Sequence, residues 1–146
     1  MGSHFSAGVF KGDGTLSIYD EVLMSIISLM EETAPYAPIL IGPMPESNGI
    51  SIAWANGAPT STFLNKNASM DMSLVLNGKH QEQATISSTL GRIHAALTRR
   101  KQYPESTKWQ ITDISTTNAP CYLGREQNNQ WLYGSSLRVK FFLRGD

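Results

Sequence analysis

The sequence predicts an α+β fold, with an antiparallel or mixed β-sheet of about five to six strands flanked by two main helices in a single domain. Two segments repeat their apolar residues at helical spacing, and strand-like segments lie between and after them. Strands and helices do not alternate regularly, which argues against a doubly wound parallel sheet. A length of 146 residues, of which 40% are hydrophobic, is enough for one hydrophobic core.

The first predicted element is a helix over residues 17–33. Ser17 can cap its start, and the apolar side chains that follow recur at helical spacing. Pro35 ends the helix, so Glu31 and Glu32 lie at its far end. Because adjacent helical residues point in different directions, these two carboxylates are not expected to form a catalytic pair.

Three strands are predicted next, over residues 37–41, 50–54 and 70–76. Asn-Gly pairs predict turns at positions 48–49, 56–57 and 77–78. Residues 58–69 are mostly polar and form either a long exposed loop or the arm of a hairpin. Long loops in a compact domain are often functional, so we expect this segment to contact a neighbouring molecule.

A second helix is predicted over residues 80–100, because its apolar residues fall on one face. Three basic residues, Arg99, Arg100 and Lys101, follow at its negative end, where the helix dipole favours them. The same basic residues could instead contact phosphate groups.

The last third of the chain, residues 109–144, is predicted to form strands joined by a turn at Pro120 and by a polar hairpin. In the final strand one face is apolar and the other largely basic. The apolar face comprises Leu137, Val139, Phe141 and Leu143, and the other face comprises Arg138, Lys140, Phe142 and Arg144. Tyr122, Trp131 and Tyr133 flank the hairpin tip. They could stack on nucleic-acid bases, pin the hairpin to the sheet, or fill a pocket of a neighbour.

The formal net charge is zero, but the charges are unevenly distributed along the chain. Residues 1–73 hold two basic and seven acidic residues, a net charge of −5, and residues 74–146 hold ten and five, a net charge of +5. The imbalance has two interpretations. It can arise by chance, or it can give each subunit an acidic and a basic side. Two complementary sides would make head-to-tail contacts that close into a ring.

The sequence predicts no catalytic, cofactor-binding or metal-binding residues. Cys121 is the only cysteine, which excludes an internal disulfide and a zinc motif, and His80 and His94 are expected at opposite ends of one helix. We expect no membrane helix and no secretory signal. Residues 1–4 are interpreted as an expression-tag remnant, and residues 5–146 as the single domain.

The C-terminal segment carries a resemblance to a known family. It includes WQITDISTT at 109–117, Pro120, LGRE at 123–126 and NQWLYGSSLRVKF at 129–141. This segment resembles the end of the small minor capsid proteins of long-tailed phages and prophages of Gram-positive bacteria. Such proteins are similar in size and element order to siphophage tail terminators.

The resemblance implies a non-enzymatic virion protein of the phage neck, made and assembled in the bacterial cytoplasm. It implies subunits that, like those of the family, are often monomeric before assembly and that form a hexameric ring on the tail. The ring ends polymerisation of the tail tube protein and joins the tail to a head–tail connector protein. DNA would pass through the ring without sequence readout, and no cofactor or membrane is involved. Two alternatives remain: a head-completion or connector protein of the same phage, and a small nucleic-acid-binding regulatory domain.

The candidate interface residues are inferred from the charge pattern and from the C-terminal hairpin. We expect the basic face of the final strand to meet the acid-rich first half of an adjacent subunit. The candidates are Arg125, Trp131, Tyr133, Arg138, Lys140, Arg144, Glu31, Glu32 and Glu46.

Overall fold

The computed structural model describes residues 17–62 and 67–144, with the backbone alone for residues 59–62. In this part of the chain two helices and five strands follow one another in the order α1, β1, β2, β3, α2, β4, β5. Their bounds are Ile18–Glu31 (α1), Ile39–Ile41 (β1), Gly49–Thr62 (β2), Ala68–His80 (β3), Gln83–Thr98 (α2), Trp109–Arg125 (β4) and Trp131–Leu143 (β5). The predicted tag remnant at residues 1–4 lies outside the described residues.

The strands form one mixed sheet in the order β1-β2-β3-β5-β4. The short strand β1 runs parallel to β2, and the other neighbouring strands are antiparallel. The predicted α+β class, with one sheet and two helices in a single domain, is confirmed. The final strand β5 lies inside the sheet between β3 and β4, so β4 forms one edge and β1 the other.

Helix α1 begins directly after Ser17, the residue predicted to cap it. The Ser17 hydroxyl accepts a hydrogen bond from the Asp20 N–H at 3.1 Å, and the Asp20 carboxylate accepts one from the Ser17 N–H at 3.4 Å. This reciprocal pair satisfies N–H groups that the first turn would otherwise leave without partners. The helix buries a broad apolar face, formed by Val22, Leu23, Ile26, Ile27, Leu29 and Met30.

Strands β2 and β3 are longer than predicted, and this extension corrects two of the predicted turns. Asn48, at φ 45°, does form a turn before β2, but the pairs at 56–57 and 77–78 lie inside strands. A Cβ at Gly78 would lie 2.9 Å from the Tyr36 hydroxyl and 3.2 Å from Ile86. Glycine is therefore present there because a helix and a tyrosine pack closely over the strand, not because the chain turns.

The same extension places residues 58–62 and 68–69 in a β-hairpin, so the described part of the predicted loop is a hairpin arm. Residues 63–66 lie outside the described part. The second helix begins at Gln83, later than predicted, because His80 is still the last residue of β3.

The predicted turn at Pro120 is also wrong, since β4 continues from Trp109 to Arg125. Proline has no N–H to donate, and an edge strand tolerates that loss on its outer side. The pairing with β5 contains four register shifts, three of them between Thr116 and Gly124, and one of these spans Pro120. The polar hairpin tip was predicted correctly, at residues 126–130.

Both described helices cover one face of the sheet, and none of the described residues forms a helix on the other face, called the open face below. Alternation in β5 places Leu137, Val139 and Phe141 under the helices, where each is at most 1% exposed. Arg138 and Lys140 point to the opposite, open face and are exposed. The predicted division of this strand into an apolar and a basic face is therefore confirmed.

The two helices run in opposite directions between the two ends of the sheet. At the Trp131 end, His80, Trp131 and Arg125 lie side by side in register, and at the Leu143 end, Ala68, Leu143 and Trp109 do. Helix α1 begins near the Leu143 end, where the Trp109 indole N–H donates to the Glu21 carboxylate at 3.0 Å. Helix α2 begins at the Trp131 end, directly after β3, and runs in the opposite direction.

Candidate assembly surfaces

The open face carries a pair of opposite charges at its centre. Arg138 on β5 lies 3.2 Å from the Asp71 carboxylate on β3. Lys140 stands between Asp71 and Asp113 in the register of the three strands. An acid from the first half of the sequence thus meets the basic strand within one chain, because β3 and β5 are neighbours in the sheet.

Arg144 is also held within the chain. Its guanidinium donates to the Ser106 carbonyl at 2.7 Å and to the Gln110 side-chain oxygen at 3.2 Å. Lys140, by contrast, forms no ion pair with any group in the described residues. Of the three basic residues predicted at an interface in β5 and just after it, Lys140 is the one whose charge is most available to another molecule.

The aromatic residues of the β4–β5 hairpin pack on one another on the helical side of the sheet. Tyr122 contacts Trp131 and Tyr133, with ring centroids 5.9 and 6.2 Å apart. The Arg125 guanidinium lies over the Trp131 ring at 5.0 Å, and the Gln83 amide donates to the Tyr133 hydroxyl at 2.6 Å. These contacts favour the interpretation that the aromatics pin the hairpin to the rest of the fold.

Two adjacent residues of β4 in this hairpin keep large apolar side chains exposed. Tyr122 is 53% exposed and Leu123 is 61% exposed. Leu123 reaches the open face, because a Cβ at Gly134 would meet its side chain there. Tyr122 and Leu123 therefore lie on opposite faces of the sheet, and Leu123 is the one that presents an apolar side chain on the open face.

The hairpin tip is fastened to the strap, the segment of residues 42–48 that precedes β2. The Lys79 ammonium binds both carboxylate oxygens of Glu126, at 2.9 and 3.1 Å, and the Glu46 carbonyl at 3.4 Å. The Asn128 amide donates to the same Glu46 carbonyl, and the Gln130 side chain accepts from the Asn48 N–H at 2.7 Å. Lys79 is only 6% exposed, so this is a buried charge held by one carboxylate.

We call these contacts, centred on Lys79 and Glu126, the latch. It was not predicted, because nothing in the sequence pattern assigned a role to either residue. Glu46, a predicted interface residue, takes part in the latch through its backbone carbonyl, and the residue as a whole is exposed. A lysine at the end of a strand otherwise rich in apolar residues was the available signal. It does not indicate the partner, because the strap and the tip are far apart in the sequence.

His94 is a second buried polar group, between α2, β4 and β5. Its ring nitrogens lie 2.8 Å from the Thr116 and Ser135 hydroxyls. Ser135 donates its own hydrogen to the Leu76 carbonyl at 2.9 Å, so it accepts from Nε2–H, and the neutral Nδ1 accepts from Thr116. Burial lowers the pKa of His94, in agreement with a neutral ring.

Among the described residues, no group of three or more His, Cys, Asp or Glu side chains is placed to hold a metal ion. None of the helices described is long and apolar enough to cross a membrane. Cys121 lies exposed on β4, and its thiol contacts the Gly134 carbonyl at 3.6 Å.

No protein-family model and no curated protein sequence matches the chain. Among solved structures, it is similar to a chain of the virion of a native gene transfer agent particle, with a TM-score of 0.57. The two chains share a fold. The likeness covers 88% of this chain and 99% of the other, at 9% sequence identity.

Proposed function

We propose that the chain is a structural protein of a phage-like virion, and specifically a tail terminator. The observation that carries this proposal is the likeness in fold to a chain of a gene transfer agent virion, which extends over almost the whole of both chains. The resemblance of the C-terminal segment to the end of small minor capsid proteins, which are themselves similar to tail terminators in size and element order, supports it independently, because that resemblance comes from the sequence.

In this role the subunits form a ring, proposed to be a hexamer, at the head-proximal end of the tail tube. A ring requires head-to-tail contacts between two different patches of each subunit. The open face, with Lys140 and the exposed Leu123, is our candidate for the surface that meets the tail tube protein or the head–tail connector. DNA would pass through the ring lumen by non-specific contact alone.

A connector protein of the same virion is the second candidate, because the fold likeness is to a chain of a whole particle and so supports both roles. Electron microscopy of particles made without this protein separates the two. A tail terminator predicts overlong tails and unjoined heads, since nothing stops tube polymerisation. A connector protein predicts tails of normal length beside separate heads. Normal, infectious particles would refute both.

A binding titration with duplex DNA tests the regulatory alternative. A structural role predicts weak binding that does not depend on DNA sequence at moderate salt. Tight binding that falls steeply with salt concentration would favour a nucleic-acid-binding domain.

A further inference from the structure

The charges of the folded chain are divided between the two ends of the sheet, not between the two halves of the sequence. Within the described residues, the Trp131 end carries five carboxylates and three cations. These are Glu31, Glu32, Glu46, Glu82 and Glu126, with Lys79, Arg125 and Arg92, whose guanidinium reaches the Ala34 carbonyl. Lys79 and Glu126 neutralise each other in the latch, so the acidic excess remains at the surface.

The Leu143 end has the opposite sign. It carries five cations and three carboxylates among the described residues: Arg99, Arg100, Lys101, Lys108 and Arg144, with Asp20, Glu21 and Glu105. The three basic residues at 99–101 are all exposed. The loop that holds them reaches the start of β4, where the Ile111 N–H donates to the Pro104 carbonyl at 3.2 Å.

The two ends are too far apart to neutralise each other. Strand β3 has 13 residues. A rise of about 3.3 Å per residue therefore separates the ends by roughly 40 Å. The Debye length at physiological salt is about 8 Å, so each end acts as an independent charged surface.

One carboxylate at the acidic end also lacks an internal partner. The Oε1 atom of Glu31 is buried and accepts no hydrogen bond from any described group. Glu31 lies in the last turn of α1, where the negative end of the helix dipole further disfavours a carboxylate. A cation of another molecule beside the partly exposed Glu31 side chain would offset the unfavourable dipole.

We propose that the basic Leu143 end of one copy docks on the acidic Trp131 end of the next copy, with residues 99–101 facing Glu31 and Glu32. This inference rests on the proposed ring and specifies its head-to-tail contact. The occupant of each end is a second copy, because the chain itself supplies the complementary charge. The open face is left free for the tail tube or the connector.

Zero-length carbodiimide cross-linking of a mixture of ¹⁴N- and ¹⁵N-labelled full-length protein tests the contact. The reaction joins lysine amines to carboxylates, and a heavy–light peptide pair proves that a link joins two copies. We expect links from Lys101 and Lys108 to Glu32, Glu46 or Glu82. Heavy–light links made mainly by Lys140, or none above background at the highest soluble concentration, would overturn the proposal.

Charge reversals that leave at least one lysine at the basic end and one carboxylate at the acidic end for cross-linking sharpen the test. Arg99→Glu with Arg100→Glu retains Lys101 and Lys108, and Glu32→Lys with Glu46→Lys retains Glu82. We expect each pair to lower the yield of heavy–light links roughly tenfold, and the combined four-site variant to restore most of it. Reversal of Arg138 and Lys140 on the open face is the matched control and should leave the yield unchanged.

The outcomes separate this contact from the proposed function. End-to-end links together with normal tails in particles lacking the protein would leave the contact standing and refute the tail terminator. Overlong tails in particles lacking the protein, together with cross-links at other sites, would support the tail terminator and refute the end-to-end contact. Circular dichroism of each variant establishes that it is folded, which is expected because all four substituted residues are exposed.

Discussion

Removing the latch between the hairpin tip and the strap should destabilise the protein measurably. The Lys79 ammonium is 6% exposed, and in Glu126→Gln it loses its counter-charge and keeps only neutral acceptors, the Glu46 carbonyl at 3.4 Å and the amide oxygen of the new side chain. Breaking a fully buried ion pair costs about 3–5 kcal/mol, and a hydrogen bond to a charged group contributes about 1.5–3 kcal/mol. Because the Glu126 side chain is 37% exposed, we expect the lower figure, about 2 kcal/mol.

Urea unfolding followed by circular dichroism measures this loss. With a slope of about 2 kcal/mol/M, the midpoint should fall by about 1 M. Glu32→Gln, at an exposed carboxylate, is the matched control and should change the free energy of unfolding by less than about 0.5 kcal/mol.

A double-mutant cycle with Lys79→Met assigns the loss to the pair. The double variant should cost less than the sum of the single variants, because no buried charge remains without a partner. If Glu126→Gln costs no more than the control, the latch does not stabilise the fold and our reasoning is refuted.

Three further predictions concern the core, the pH dependence and the open face. Gly78→Ala should destabilise by about 1–3 kcal/mol in thermal melts through contact with Tyr36, whereas Gly91→Ala, exposed on α2 with no neighbour within 4 Å, should stabilise by about 0.5–1 kcal/mol. Burial lowers the folded-state pKa of His94 below 6.5, so the folded state binds fewer protons and the free energy of unfolding should fall as pH drops below about 6.5. Urea titrations at pH 7.5 and 5 should show a smaller fall in His94→Gln; an equal fall would contradict this. Arg138→Glu with Lys140→Glu should leave the far-ultraviolet spectrum intact but prevent incorporation into tails, and normal tail lengths would count against the open-face assignment.

Local signals in the sequence identified the elements and their faces. The serine and aspartate at the start of α1 satisfy its first N–H groups by themselves, so the helix start could be read directly. The alternation in β5 likewise placed Phe141 inside and Lys140 outside, because the side-chain period of a strand does not depend on its neighbours.

Local signals predicted turns wrongly at positions whose conformation depends on packing across the sheet. An Asn-Gly pair predicts a turn, but Gly78 is required by the tyrosine and helix that pack above it. Proline predicts a turn as well, and at Pro120 the position at a sheet edge removes the reason for one. In both cases the conformation depends on where the residue lies in the sheet, which the neighbouring sequence does not show.

The sequence by itself determined the α+β class, the two helices, the hairpin tip and the basic face of the final strand. Only the tertiary structure decided where the charges act. Placing β5 beside β3 gives Arg138 its acid within the chain, and folding the strap onto the hairpin tip pairs Lys79 with Glu126. The antiparallel arrangement then gathers half of the remaining described acids at one end and most of the remaining described bases at the other. Charge–charge contacts depend on distance in space and not on position along the chain.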